Sequence, residues 1–146
     1  MKLGFVSAIL DGWTFEEMID TASEMGFSCV EVACWPQGRA ERRYAGVSHI
    51  DVDSLSDEKA AYILNYCKER KVEISSLAYY PNTLDGNLKK RACVVEHLKN
   101  VIRASHKLGV NMVTTFIGRD QTKSVEQNLA LVKEVWPPII ALAEEL

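Results

Sequence analysis

Four short apolar segments, each followed by a helix-forming stretch, constrain this chain more than any other feature. They are Lys2–Ile9 (KLGFVSAI), Cys29–Cys34 (CVEVAC), Val72–Ala78 (VEISSLA) and Asn111–Ile117 (NMVTTFI). Each is too short for an ordinary helix, and the last is rich in residues that favour strands. Strands alternating with helices in this order lie parallel and join through right-handed crossovers. The order alone leaves open whether the sheet is an open, doubly wound one or half of a closed barrel.

The helices are marked by their ends. Thr14 stands three residues before Glu17, and Ser124 three before Gln127, the spacing at which each side chain satisfies a free backbone N–H of the other residue. Ser56 precedes Asp57 and Glu58, a cap followed by two acids that suit the positive helix start. The apolar faces run through Phe15, Met18, Ile19, Ala22 and Met25, then Ala60, Ile63, Leu64 and Cys67, then Ala92, Val95, Leu98, Ile102 and Ser105. Gly26 and Gly109 sit where helices stop. Pro137-Pro138 must break or kink the last helix, because Pro137 has no N–H for its ladder bond.

At 146 residues the chain predicts a single unit over 1–146, with a net charge of −3 that offers no pull on nucleic acid or an anionic membrane. Cys29, Cys34, Cys67 and Cys93 form no C-x-x-C pair, and no leader or spanning segment is visible. Free thiols and a cytoplasmic location are expected. The chain stops in helical sequence at Ala143-Glu144-Glu145-Leu146, so a unit truncated before strands five to eight is expected.

The sequence contains no G-x-G-x-x-G, no G-x-x-x-x-G-K-[ST], no H-E-x-x-H and no G-x-S-x-G. Ser48-His49-Ile50-Asp51 holds triad residue types, but sequence neighbours seldom meet in triad geometry. His97 falls off the apolar stripe of its helix and His106 lies at its edge, which predicts solvated positions rather than ligands.

In parallel α/β folds the site gathers at the strand C-terminal ends. Alternation along the second strand turns Val30, Val32 and Cys34 toward the helices, and Glu31, Ala33 and Trp35 toward the inner face or mouth. Glu31 there either binds substrate or serves as a structural, hydrogen-bonded carboxylate. Trp35 is either an apolar wall for a ligand or packing beneath the long loop. Of Tyr79 and Tyr80, one faces the mouth and the other packs under a helix. Phe5 and Phe116 are assigned to the inner face, and Phe116 joins Glu31, Trp35, Tyr79 and Tyr80 as a candidate substrate-binding residue. Arg119 reaches a polar ligand or pairs with Asp120. Arg39, Arg42 and Arg43 form either a phosphate site or a solvated run.

Five segments in order, VEVACWP, ERRYAGVSHID, SLAYYPNTLDG, TTFIGRD and EVWPP, together resemble the xylose isomerase-like TIM-barrel superfamily of sugar phosphate isomerases and epimerases. The resemblance covers the first four of that family's eight strand–helix units, and it implies a parallel (β/α)4 half-barrel. It also implies, for the full-length parent, a Mn²⁺ or Mg²⁺ enzyme acting on a sugar or polyol. The family's metal-binding Glu, Asp, His and Glu come from strands five to eight, so no metal ligand or catalytic residue is carried onto this chain, and no cofactor is expected for it alone. Glu31 matches a second-strand Glu whose role in the family looks architectural. Related DNA-repair endonucleases carry histidines where this chain reads Ala78-Tyr79-Tyr80 and Phe116-Ile117-Gly118, which disfavours that role. The remaining alternative is a stand-alone binding or scaffold module on an open sheet. Half a barrel leaves both outer strands unpaired, so a homodimer is expected.

Overall fold

The computed structural model describes residues 1–38 and 45–146. Four strands form one parallel sheet in the order β1-β2-β3-β4: β1 Gly4–Val6, β2 Cys29–Ala33, β3 Glu73–Tyr79 and β4 Val113–Thr115. The strand order never reverses, which is the arrangement of half a TIM barrel and not of a doubly wound sheet. The helices are α1 Phe15–Glu24, α2 Asp57–Arg70, α3 Leu88–Lys107, α4 Val125–Val135 and α5 Pro137–Glu145.

Both capping boxes form as the spacing predicts, and Ser56 accepts from the Lys59 N–H. The proline pair divides the last helical stretch into α4 and α5. Three strands are shorter than their apolar runs, β2 only by Cys34. Ser7–Ile9 leaves the ladder as a turn of 3-10 helix, and β4 keeps three residues of the seven expected.

The core lies between the sheet and the helices. Met18 and Ile19 of α1, Ile63 of α2 and Val101 of α3 bury against Val30, Val32 and Leu77 of the sheet. Phe5 pairs in register with Val30 and packs edge-on against Phe27, so it stands on this helix side rather than on the inner face. Met25, Leu64 and Ala92 are exposed, because the buried stripes run narrower than the sequence suggests. On α3 the stripe turns to include Val101 and Ala104. All four cysteines are free thiols. Among the described residues, no helix is long and apolar enough to cross a membrane.

The loops after β3 and β4 are locked together. Thr83 donates to the Ile117 carbonyl from both its N–H (3.1 Å) and its hydroxyl (2.7 Å), and Asn82 Nδ2 donates to the Arg119 carbonyl at 2.8 Å. Trp136, at the α4–α5 joint, donates its indole N–H to Thr83 Oγ1 at 3.1 Å. Gly118 makes this possible: it sits at φ +76°, and a Cβ there would lie 2.0 Å from Asn82 Oδ1. Gly12 has a similar φ of +80° with open space around it. Gly12→Ala should therefore cost about 1–2 kcal/mol for the left-handed backbone alone. Gly118→Ala should cost at least about 1 kcal/mol more, because the Asn82 bonds must also break. Urea denaturation compares the two, and equal losses would show that the loops are not interlocked in this way.

Candidate functional site

A row of polar side chains crosses the inner face of the sheet. It begins with Glu31 on β2, whose neighbours in sequence, Val30 and Val32, are fully buried on the opposite side. A register shift between Val30 and Glu31 gives β3 one extra residue, and this brings Ser76 opposite Glu31. Ser76 Oγ and Thr114 Oγ1 both donate to Glu31 Oε2 at 2.8 Å, and the Tyr80 hydroxyl donates to Oε1. Tyr80 and Thr114 oxygens stand 3.1 Å apart. One carboxylate thus gathers hydroxyls from the next two strands. Burial, and then the bond to Glu31, raise the Tyr80 phenol above its ordinary pKa, so it stays a donor at neutral pH.

The Tyr80 ring in turn carries Phe116, with centroids 4.7 Å apart and planes inclined by 43°. Phe116 is 60% exposed and forms an apolar lip above the polar row. Arg119 follows on the same loop with its side chain in solvent. It does not pair with Asp120. That carboxylate is buried and bonded to Lys123 Nζ at 2.8 Å and to Thr122, which together hold it well below the usual carboxylate range.

Trp35 and Tyr79 lie elsewhere. Trp35 packs edge-on against Tyr79 (4.9 Å), and Tyr79 against His97 of α3 (4.7 Å), all on the helix side. Placing Trp35 beside Glu31 fails because β2 ends at Ala33. Cys34 already bridges back to Ser48, so strand alternation no longer governs Trp35. Burial pushes the Tyr79 phenol up to about 12.

His97 is buried, not solvated. Its Nε2 donates to the Cys34 carbonyl at 2.9 Å, and its Nδ1 lies 3.4 Å from Asp53 Oδ2. Helical periodicity ranks side chains by polarity and does not register a histidine that finds acceptors at a strand end.

Sequence reasoning passes over His49 together with its neighbour Ser48, whose hydroxyl donates to the Ile50 carbonyl. The true partner of His49 is Ser7, 42 residues away, with Oγ 3.0 Å from Nδ1. Ser7 Oγ also accepts the Ala33 N–H at 2.9 Å, and His49 Nε2 donates to the Leu10 carbonyl at 3.2 Å. Ser7 is fully buried, so the pair ties the ends of β1 and β2 to the long loop and does not present a nucleophile. These contacts also bury Ala33, which the sequence places on an open inner face.

Arg39, Arg42 and Arg43 lie outside the described residues. Among the described residues, no three His, Cys, Asp or Glu side chains stand together as a metal site.

The family model described as xylose isomerase-like TIM barrel matches residues 19–146. No curated protein matches by sequence. Similar solved structures include D-psicose 3-epimerase with D-tagatose from Clostridium cellulolyticum H10 (16% identity, TM-score 0.61), which covers 99% of this chain and 49% of the epimerase. A xylose isomerase domain protein from Planctomyces limnophilus matches at 12% identity and TM-score 0.66, over 99% of this chain and 50% of that one. A probable 3-DHS dehydratase involved in petrobactin synthesis from Bacillus anthracis matches at 18% and 0.63, over 99% and 47%. The chain therefore spans about half the length of these structures.

Two outcomes follow from the placement of these residues. Trp35→Ala should lose about 2–4 kcal/mol of stability as a half-buried packing residue, whereas Phe116→Ala should change stability by no more than about 0.5 kcal/mol. Calorimetric melting decides, and a neutral Trp35→Ala would return that residue to the mouth. Burial also lowers the His49 pKa, against weaker upward effects from Leu10 and Asp11. The unfolded chain then binds the proton first, so His49 contributes stability above about pH 6.5 that is lost as pH falls below it. His49→Asn should flatten the dependence between pH 7 and 5, as measured by urea midpoints.

Proposed function

This chain belongs to the xylose isomerase-like TIM barrel family, and we propose that it forms the N-terminal half of a sugar or sugar-phosphate isomerase or epimerase, inactive by itself. The observation that carries this reading is the inner face at the strand ends, where a carboxylate–hydroxyl row lies beneath an exposed aromatic lip. A sugar presents the same two chemistries, hydroxyls that exchange hydrogen bonds and a C–H face that packs on an aromatic ring. Glu31, Tyr80 and Phe116 are the residues we assign to this wall. We assign Arg119, exposed on the same loop, to a polar or anionic group on the substrate. Trp35 and Tyr79 act beneath them by holding the mouth loop.

Isomerisation or epimerisation needs a base to take the proton beside a carbonyl. Glu31 is committed to three hydroxyl donors, which suits positioning better than proton transfer. Among the described residues, no three His, Cys, Asp or Glu side chains gather to hold a divalent ion. In the complete enzyme we assign Mn²⁺ or Mg²⁺, and the base, to the other half of the barrel. Four free thiols are compatible with a cytoplasmic location. Isolated, the chain is proposed to pair with a second copy.

The reading predicts weak, millimolar binding of keto sugars at the mouth. NMR titration with D-psicose or D-tagatose should shift Glu31, Tyr80, Thr114 and Phe116 resonances, and Phe116→Ala should remove the effect. In D₂O with Mn²⁺, the chain should show no deuterium exchange into the sugar and no stoichiometric metal binding by calorimetry. Shifts confined to another face would refute the assigned wall, and exchange would refute inactivity.

A further inference from the structure

A compact monomer of 16.4 kDa exposes about 7,500 Å², whereas this chain exposes 8940 Å², an excess of roughly 1,400 Å². Counted on two copies, that excess falls within the roughly 2,000–5,000 Å² buried by obligate homodimers. Part of the exposed apolar surface lies at the two ends of the sheet. Leu3, Val6 and Ile9 are exposed along β1, and Met112, Ile117 and Ile140 are exposed along β4 and α5. Among the described residues, these are the two strands with an unpaired edge.

The flanks differ in shape. Beside β4, a cavity of about 280 Å³ opens between α3, β4 and α5, lined by Ile102, Val113, Ile139, Ile140 and Leu146 among others. The β1 flank offers what fits there: Leu3, 70% exposed, and Phe5, half-buried, two residues apart on the helix side of the strand. The two edge strands match in length at three residues each. Pairing β1 with a second β1 would leave the cavity empty, and pairing β4 with a second β4 would leave β1 bare.

We infer that the two flanks form one heterologous seam, in which β4 of one copy lies along β1 of a second copy. The partner's β4 returns along the first β1, so that eight parallel strands close about a two-fold axis. The inference rests on the half-barrel reading and deepens the homodimer. Closure sets two copies of the Glu31–Tyr80–Phe116 wall on opposite sides of one mouth, a two-fold site for a hydroxyl-rich ligand.

Light scattering coupled to size exclusion should give twice 16.4 kDa over a wide dilution range. Leu3→Glu and Ile140→Lys should each weaken the dimer by about tenfold or more, and Leu64→Lys, at an exposed position of α2, should not. Mixing Leu3→Glu with Ile140→Lys should restore the dimer. That pair has one unaltered seam and one in which the introduced acid and the introduced base face each other. A persistent monomer with a cooperative melt would overturn the seam and leave the half-barrel standing. A dimer that ignores both substitutions, no recovery on mixing, or open-ended aggregates would also overturn it. A monomer with no cooperative melt would count against the half-barrel itself.

Discussion

A carboxylate on the open face of a sheet is held in place only where donors surround it, and Glu31 draws its donors from the two strands beyond its own. Ser76, Tyr80 and Thr114 all turn toward it. The bond from Thr114 crosses over β3, so it fixes the relative height of β2 and β4 as well as their separation. Each such charge-assisted bond contributes about 1.5–3 kcal/mol at most, and less where water reaches the carboxylate. Its larger effect is on register. A slip of one residue in β3 would turn Ser76 toward the helices and place Leu77 against Glu31. The extra residue beside Glu31 in β3 belongs to the same device, since without it strict alternation from Ile74 would put Ser76 on the wrong face.

The helix side bears most of the folding energy, and the mouth is built as its extension. Tyr79 goes down into the core while Tyr80, the next residue, bends over the inner face. Trp35 and His97 pack on the first, and Glu31 and Phe116 hold the second. The β3 and β4 loops are then joined through Thr83 and Asn82, with Trp136 anchoring Thr83 from below. Phe116 is therefore exposed without being loosely placed. Its strand ends one residue earlier, and the following turn is pinned at Ile117 and Arg119.

Much of this was legible in the residues. Capping boxes, the Ser56 cap, the glycine stops and the proline break depend on contacts between residues no more than a few positions apart, and all form. Alternation placed Glu31 correctly because it lies within β2. It failed for Trp35 and Phe5 because strand ends and starting phase are set by partners distant in sequence. Trp35 follows the bridge from Cys34 to Ser48, and Phe5 follows its register with Val30. Ser7–His49 and His97–Cys34 span 42 and 63 residues. No local pattern distinguishes such a histidine from a solvated one. The hydroxyls around Glu31 were equally silent, since Ser and Thr in a strand read as neutral until a register sets them against a carboxylate.

The inner face also bears on how such a half-sheet persists. The interior of a closed barrel is usually filled by bulky branched side chains. Here the corresponding positions include Gly4, Val6, Glu31, Ser76, Ala78 and Thr114, small or polar apart from Val6. A Cβ on Gly4 would lie 2.2 Å from the Cys29 carbonyl oxygen, so even alanine is too large at that position. A face of this composition tolerates water better than a Val-Ile-Leu layer would, and the hydrophobic demand is displaced to the flanks. When a second half covers it, Glu31 loses its remaining contact with water, and an uncompensated carboxylate would then oppose closure. Three hydroxyl donors already in place reduce that cost before the partner arrives. The same network that sets strand register therefore makes the face compatible with both the open and the closed state.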